Sequence, residues 1–232
     1  MDIYEYLTQN TLLHIDMIDA LKRGIGHIRY AAEDGVLLYN RVSSSYLISC
    51  KTRERAGIIA KSLPSTGMVT LHQEEYVDLF LDLGFMPELE RCYQAAYLCD
   101  MPMEGAEGFD IRLLTMEHLP FIIEHYNSID DKAYIEQCLK QGMFGAFDGG
   151  ALMGFIGMHL EGSMGLLHIL PQYRKRGVGG ALEAYLVNYL LGCGRIPYGQ
   201  VIYTNQASLN LQRRLGFSIS KERLVWISKQ GV

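Results

Sequence analysis

The 232-residue sequence predicts an α/β protein of the α+β kind, built from two tandem domains, each a sheet flanked by helices. Three observations predict it. The order strand, helix, strand, helix, Leu-Gly-Phe, strand occurs twice, with Leu83-Gly84-Phe85 answering Leu215-Gly216-Phe217 and Gly67-Met68-Val69 answering Gly199-Gln200-Val201. Apolar runs of strand length flank the turn signals Asp34-Gly35 and Asp148-Gly149-Gly150. An apolar fraction of 49% at this length is ample for one large or two small buried cores.

The elements follow in order. In the first half the apolar spacing predicts a helix over 11–22, a strand over 27–31, the Asp34-Gly35 turn and a strand over 36–39. Strands over 46–50 and 68–71 alternate with helices over 52–63 and 74–83, the latter stopped by Gly84, and 91–98 supplies a closing strand. The stretch Met101 to Gly108 has a linker's composition. A second domain then begins at Asp110 with a strand over 111–114, helices over 116–126 and 132–140, and a hairpin of 143–147 with 152–159. Strands over 165–170 and 200–205 alternate with helices over 181–191 and 207–215, the last ending at Gly216. The expected division is therefore 1–100, a linker over 101–109, and 110–232.

Composition excludes several classes. The net charge is −5, and the one short basic run is Arg174-Lys175-Arg176, which does not suit a protein that coats nucleic acid with a broad basic face. Five cysteines without a C-x-x-C pair fit reduced thiols and predict neither a disulfide framework nor a metal site. No apolar run reaches membrane-spanning length, and Asp2 and Glu5 sit where a secretory signal carries positive charge, so a cytoplasmic protein without membrane contact is expected. Pairing of sheet edges leaves monomer and homodimer both open.

The chemistry concentrates at Arg174-Lys175-Arg176-Gly177-Val178-Gly179-Gly180, which joins a strand to a helix start. Glycines admit a ligand close to the backbone, and the N–H groups of a helix's first turn can hold phosphate oxygens while the basic side chains balance their charge. The competing reading is a solvated basic turn capping a helix. Neither the G-x-x-x-x-G-K-S/T phosphate loop nor the dinucleotide G-x-G-x-x-G is present, which argues against other nucleotide-binding α/β classes.

This Q/R-x-x-G-x-G/A turn, with Asn205-x-x-Ser208 and Leu215-Gly216-Phe217 downstream, resembles the GCN5-related N-acetyltransferase superfamily, and the order βααβββαβαβ of 110–232 is similar to that fold. A degenerate first copy ahead of an intact second one resembles the glycine N-acyltransferase-like and FR47-like branches. The resemblance implies mixed, mostly antiparallel sheets and acetyl-CoA as cosubstrate. It implies backbone N–H groups of Ile169 and Leu170 on the acyl oxygen, those of Lys175 to Gly180 on the pyrophosphate, and Asn205 and Ser208 near the cofactor arm. Plain helix capping is the bland alternative for Asn205 and Ser208. The first copy carries Arg53-Glu54-Arg55-Ala56-Gly57 in place of the turn, so it is not expected to bind coenzyme A.

Acyl transfer to an amine needs a base, a polarised carbonyl and a proton for the departing thiolate. Many family members place a tyrosine where this sequence has Gln212, and a glutamine donates a hydrogen bond but has no proton to give up. Tyr203 or solvent would then protonate the thiolate. His168, beside the acyl position, is the first candidate base, with Glu161 next, and His159, Glu117, His118 or a water chain as further options. A packed structural histidine is the competing reading of His168, because one residue of register moves it to the other sheet face. The sequence thus predicts an acetyl-CoA-dependent N-acyltransferase acting on a primary amine of a small molecule or amino acid. A coenzyme A-binding sensor or scaffold without turnover is the alternative.

Overall fold

The computed structural model describes residues 2–88 and 91–229. They form two compact units. The first comprises Met1–Ala96, Gln200–Arg213 and Ser218–Val232, and the second Tyr97–Gly199 and Arg214–Phe217.

The first half of the chain contributes α1 (Ile3–Leu7), α2 (Ile15–Lys22), β1 (Gly26–Ala32), β2 (Gly35–Asn40), β3 (Ser45–Cys50), α3 (Arg53–Ser62), β4 (Gly67–Leu71), α4 (Val77–Leu81), β5 (Met86–Pro87) and β6 (Cys92–Ala96). The second contributes β7 (Asp110–Leu113), α5 (Leu119–His125), α6 (Lys132–Gly142), β8 (Phe144–Asp148), β9 (Ala151–Met158), β10 (Met164–Ile169), α7 (Val178–Gly192), β11 (Tyr198–Ile202), α8 (Gln206–Arg214) and β12 (Ser218–Lys229). The expected βααβββαβαβ order is present. The helix expected over 11–22 is shorter and is preceded by α1, which Asp2 caps by accepting from the Tyr4 amide.

In the first unit the strands run β1-β2-β3-β4-β12-β6, with β5 also beside β12. Alternation along each strand sorts the side chains to two faces. Ile48 and Cys50 of β3, Val69 and Leu71 of β4, and Val225 and Ile227 of β12 pack under α3 and α4 with Ala56, Ile59 and Phe80. Ser49 of β3 and His72 beyond β4 point to the opposite face, where α1 and α2 supply Tyr6, His14 and Asp16. That face holds a buried polar network. The His72 imidazole bonds the Asp16 carboxylate at 2.8 Å and the Ile48 carbonyl at 2.8 Å, while His14 bonds Ser49 Oγ at 2.8 Å.

The compact units do not follow the expected division into 1–100 and 110–232. The last strand of the sequence, β12, lies between β4 and β6, paired antiparallel to both, so the strand over 92–96 closes the first sheet through β12. The reason is burial on both faces. Leu224, Val225, Trp226 and Ile227 are consecutive and buried, which only an interior strand can satisfy.

In the second unit β7, β8, β9 and β10 form an antiparallel meander, and the start of β11 lies parallel to β10. Helices α5 and α6 cover one face through Ile122, Ile135, Cys138 and Leu139 against Phe155 and Leu166. On the other, α7 sets Tyr185 and Tyr189 each 5.0 Å from the Phe144 ring. The expected linker has no regular structure over 101–109, yet it is anchored: Asn188 of α7 accepts from the Met103 amide at 2.7 Å and donates to its carbonyl at 2.8 Å. Among the described residues no helix is long and apolar enough to cross a membrane.

Candidate functional site

After β10 the chain makes a single 3-10 turn at Pro171–Tyr173 and then bends twice through left-handed backbone, at Lys175 with φ 61° and at Gly177 with φ 87°. A glycine takes that conformation freely; a lysine is held there at a cost of about 1 kcal/mol. The second bend aims the first turn of α7. The first bond within the helix runs from the Ala181 amide to the Gly177 carbonyl at 3.0 Å, so the Val178, Gly179 and Gly180 amides precede the ladder. Among the described residues no side chain caps them, and no acidic residue sits in that turn.

The glycines are not there for packing. A Cβ at Gly180 would meet nothing within 4 Å, and one at Gly179 only Ile169 Cγ1 at an ordinary 3.7 Å. Two glycines in a first turn cost helix stability, about 1 kcal/mol each relative to alanine, and here they leave open space over unsatisfied donors. Arg174, Lys175 and Arg176 are exposed beside it, Arg174 tied back by Nε donating to the Ile169 carbonyl at 3.0 Å and Arg176 stacked 5.6 Å from the Tyr173 ring. Open amides with basic side chains beside them could hold an anion, and their chemistry suits a phosphate such as those of coenzyme A.

The end of β10 is half engaged. The Leu170 amide donates to the Met153 carbonyl of β9 at 3.0 Å. Antiparallel bonding alternates, so the amide of Ile169, opposite Gly154, turns away from β9. On that side β10 pairs β11 at Met164↔Gly199, the one register pair among the described residues. Of the two amides expected to meet an acyl oxygen, the Leu170 amide is therefore already bonded within the sheet and the Ile169 amide is the one directed outward. Gly154 makes this approach possible, since a Cβ there would lie 2.5 Å from the His168 carbonyl.

His168 points to the α5 face. Its ring stacks on Phe155 at 5.6 Å and meets His125 edge-on at 6.3 Å. Partial burial, the Arg174 guanidinium and His125 together hold its pKa below the usual histidine value. A neutral imidazole at neutral pH is a competent proton acceptor. A bulge between Gly165 and His168, with Leu166 at φ 53°, fixes which face His168 takes, and nothing in the sequence announces it.

The other candidate bases are placed elsewhere. Glu161 is buried in the β9–β10 turn, its carboxylate accepting from Ser163 Oγ, at the opposite end of β10 from Ile169. Six residues of strand separate those ends by about 17 Å, so Glu161 does not serve a group bound at Ile169. His159 is hydrogen-bonded to the Tyr134 hydroxyl at 2.8 Å, and His118 belongs to a capping box with Thr115. Glu117 is exposed at the start of that turn.

Asn205, Ser208 and Gln212 lie in the first unit. Asn205 Oδ1 accepts from the Ser208 amide at 3.1 Å, so Asn205 is the N-cap of α8 and Ser208 its third residue. The capping alternative describes the Asn205 side-chain oxygen, which is spent within the helix. Gln212 is buried in α8. The structure thus brings together Ile169, Arg174, Gly177, Val178, Gly179 and Gly180 with His168 in the second unit, and adds His125, which no spacing in the sequence singled out.

Residues 110–217 match the family model described as the Acetyltransferase (GNAT) family. No curated protein matches the chain. Solved structures similar to it include a Drosophila protein, 16% identical with a TM-score of 0.65, the match covering 99% of this chain and 94% of that one. A putative GNAT acetyltransferase of Novosphingobium aromaticivorans is 13% identical with a TM-score of 0.56 over 94% and 96% of the two chains. A GCN5-related N-acetyltransferase-like protein of Streptococcus suis is 17% identical with a TM-score of 0.55 over 97% and 99%. At these identities the likeness is one of fold.

Proposed function

From a GNAT acetyltransferase segment at residues 110–217, we propose that the chain is an acyl-CoA-dependent N-acyltransferase, using acetyl-CoA to acetylate a primary amine of a small molecule or amino acid. One observation carries this reading above the rest: the open first turn of α7, with three amides ahead of the helix ladder, glycines that packing does not demand, and three basic residues beside them.

The bound thioester supplies an activated acyl group. The amides of Val178, Gly179 and Gly180, with Arg174 and Arg176, hold the pyrophosphate. The Ile169 amide donates to the acyl oxygen and stabilises the negative charge that develops there. His168 accepts the proton released as the amine nitrogen bonds to the acyl carbon and the carbon–sulfur bond breaks. Gln212 has no proton to give, so the thiolate takes its proton from solvent.

Calorimetric titration with acetyl-CoA tests the reading, followed by turnover on a panel of primary amines. One-to-one binding with turnover supports it. Binding without turnover on any amine would favour a coenzyme A-binding sensor, the reading to which Gln212 at the usual tyrosine position lends weight. Absence of binding removes both.

A further inference from the structure

We propose that His125 is a positioning residue for His168, orienting its ring and holding it in the proton-accepting form. This rests on the reading of His168 as the base, and it goes beyond it by giving that base a partner.

The geometry starts from how firmly His125 is held. It closes α5, its ring lies flat on Phe121 at 4.1 Å and 20°, and its Nδ1 bonds the Phe121 carbonyl at 2.9 Å. A carbonyl oxygen only accepts, so Nδ1 carries a hydrogen. The tautomer of the neutral ring is thus fixed by the helix backbone. His168 meets this ring edge-on at 6.3 Å and 61°, and is backed on its flat side by Phe155 at 5.6 Å and 23°. With one neighbour edge-on and the other stacked on its face, the His168 ring has little rotational freedom.

The charges around His168 are one-sided. From α5 it faces His125, from the turn after β10 it faces Arg174, and from β9 it faces the uncharged Phe155. After burial, the Arg174 guanidinium and then His125 disfavour a proton on His168. Arg174 also belongs to the anion cradle, where a bound phosphate offsets its charge. His125 has no such second duty, so its influence on His168 persists with cofactor in place. A proton taken from the amine is then passed on to solvent instead of lodging on His168.

The test is a side-chain NMR titration of His168 in the full chain, comparing wild type with His125→Phe and His125→Asn. Phe keeps the stack on Phe121; Asn keeps a donor for the Phe121 carbonyl; both remove the imidazole that faces His168. Both variants should raise the His168 titration midpoint by roughly half a unit or more, and with acetyl-CoA and an amine the acid limb of kcat/KM should move by the same amount. A His168 midpoint unmoved in both folded variants overturns the proposal. So does a shift in His125→Phe that His125→Asn reverses, because that would assign His125 a purely structural bond. His168→Gln separates the two layers: if it leaves the pH profile of turnover unchanged, the base reading fails, while the NMR result still decides whether His125 controls His168.

Discussion

The strand-turn-helix of the first half, β3 into α3, and that of the second half, β10 into α7, share an order of elements and differ in whether the chain satisfies itself. At α3 the Thr52 hydroxyl accepts from the Arg55 amide at 3.2 Å and Glu54 stands in the first turn. The basic residues there are consumed, Arg55 by Asp34 at 2.7 Å and Arg53 by Asp78. Strand β3 is zipped to β4 through four parallel pairs, Ser45↔Met68 to Ile48↔Leu71. At α7, among the described residues, no side chain caps the turn, no acid enters it, and β10 meets β11 at a single pair. A ligand site is lost when a cap, a carboxylate and a closed ladder use the donors that a ligand would otherwise use.

The largest effect expected from breaking this contrast comes from Gly179→Glu with Gly180→Glu. The open space over the amides then fills with negative charge, while Gly177 keeps its left-handed bend. Losing two or more charge-assisted bonds should weaken acetyl-CoA binding by about 100-fold or more, read by calorimetry. Unchanged affinity in the folded double variant would remove α7 from the site.

Next is His168→Gln, which should lower kcat by roughly 10²–10⁴-fold. His168 must be neutral to act, and its pKa lies below the ordinary histidine value. Wild-type kcat/KM should therefore stay level through neutral pH and fall only as pH drops through that lowered value. The residual activity of His168→Gln should lack this limb. A pH profile identical in both proteins would exclude His168.

The histidines of the first unit sharpen the comparison, because acid should act there on stability and not on proton transfer. Burial, then the neighbouring His72, push the His14 pKa down to about 4. A depressed histidine costs nothing above its unfolded value near 6.5, and stability is lost as pH falls from there to about 4, because the unfolded chain takes up a proton that the folded one refuses. The full loss is about 3 kcal/mol. His72 runs the other way: burial, which lowers its pKa, is outweighed by the Asp16 carboxylate, so its contribution is present at low pH and lost as pH rises through the raised value. Urea unfolding at pH 7 and pH 5 should show the His14 loss, reduced in His14→Gln. Equal pH dependence in the variant would assign the acid sensitivity to another group.

The smallest pair tests the two turns directly. Thr52→Ala removes the α3 cap and should cost about 1 kcal/mol of unfolding free energy. Lys175→Gly relieves the left-handed lysine but frees the unfolded chain, so a gain of about 0.5 kcal/mol is expected. Opposite signs in thermal denaturation support the contrast; the same sign for both would contradict it.

Much of the fold was legible because its signals are local. Turn glycines, the spacing of apolar residues and the Asp34-Gly35 pair set β1, β2, β3 and α3 within a residue or two, and the glycines after Arg176 marked the start of α7. Long-range pairing was not legible. Nothing in Leu224-Val225-Trp226-Ile227 states that this strand inserts between β4 and β6, because backbone pairing is indifferent to chain distance. Nor could the sequence reveal that the Leu170 amide is bonded to Met153 or that Glu161 sits at the far end of β10, since both depend on register.

The sequence by itself determined the groups available to this protein: glycines and basic residues at a helix start, a histidine close before them, and a glutamine in the last helix. Tertiary structure alone decided which of those groups lie together and which way each points. The bulge in β10 chose the face of His168, the α5 backbone fixed the His125 ring against it, and the alternation of the β9–β10 ladder turned the Ile169 amide, not that of Leu170, away from β9. Residue identity fixes what a group can donate or accept, but direction comes from strand register and helix placement, and those are settled only when distant segments bury their apolar faces together.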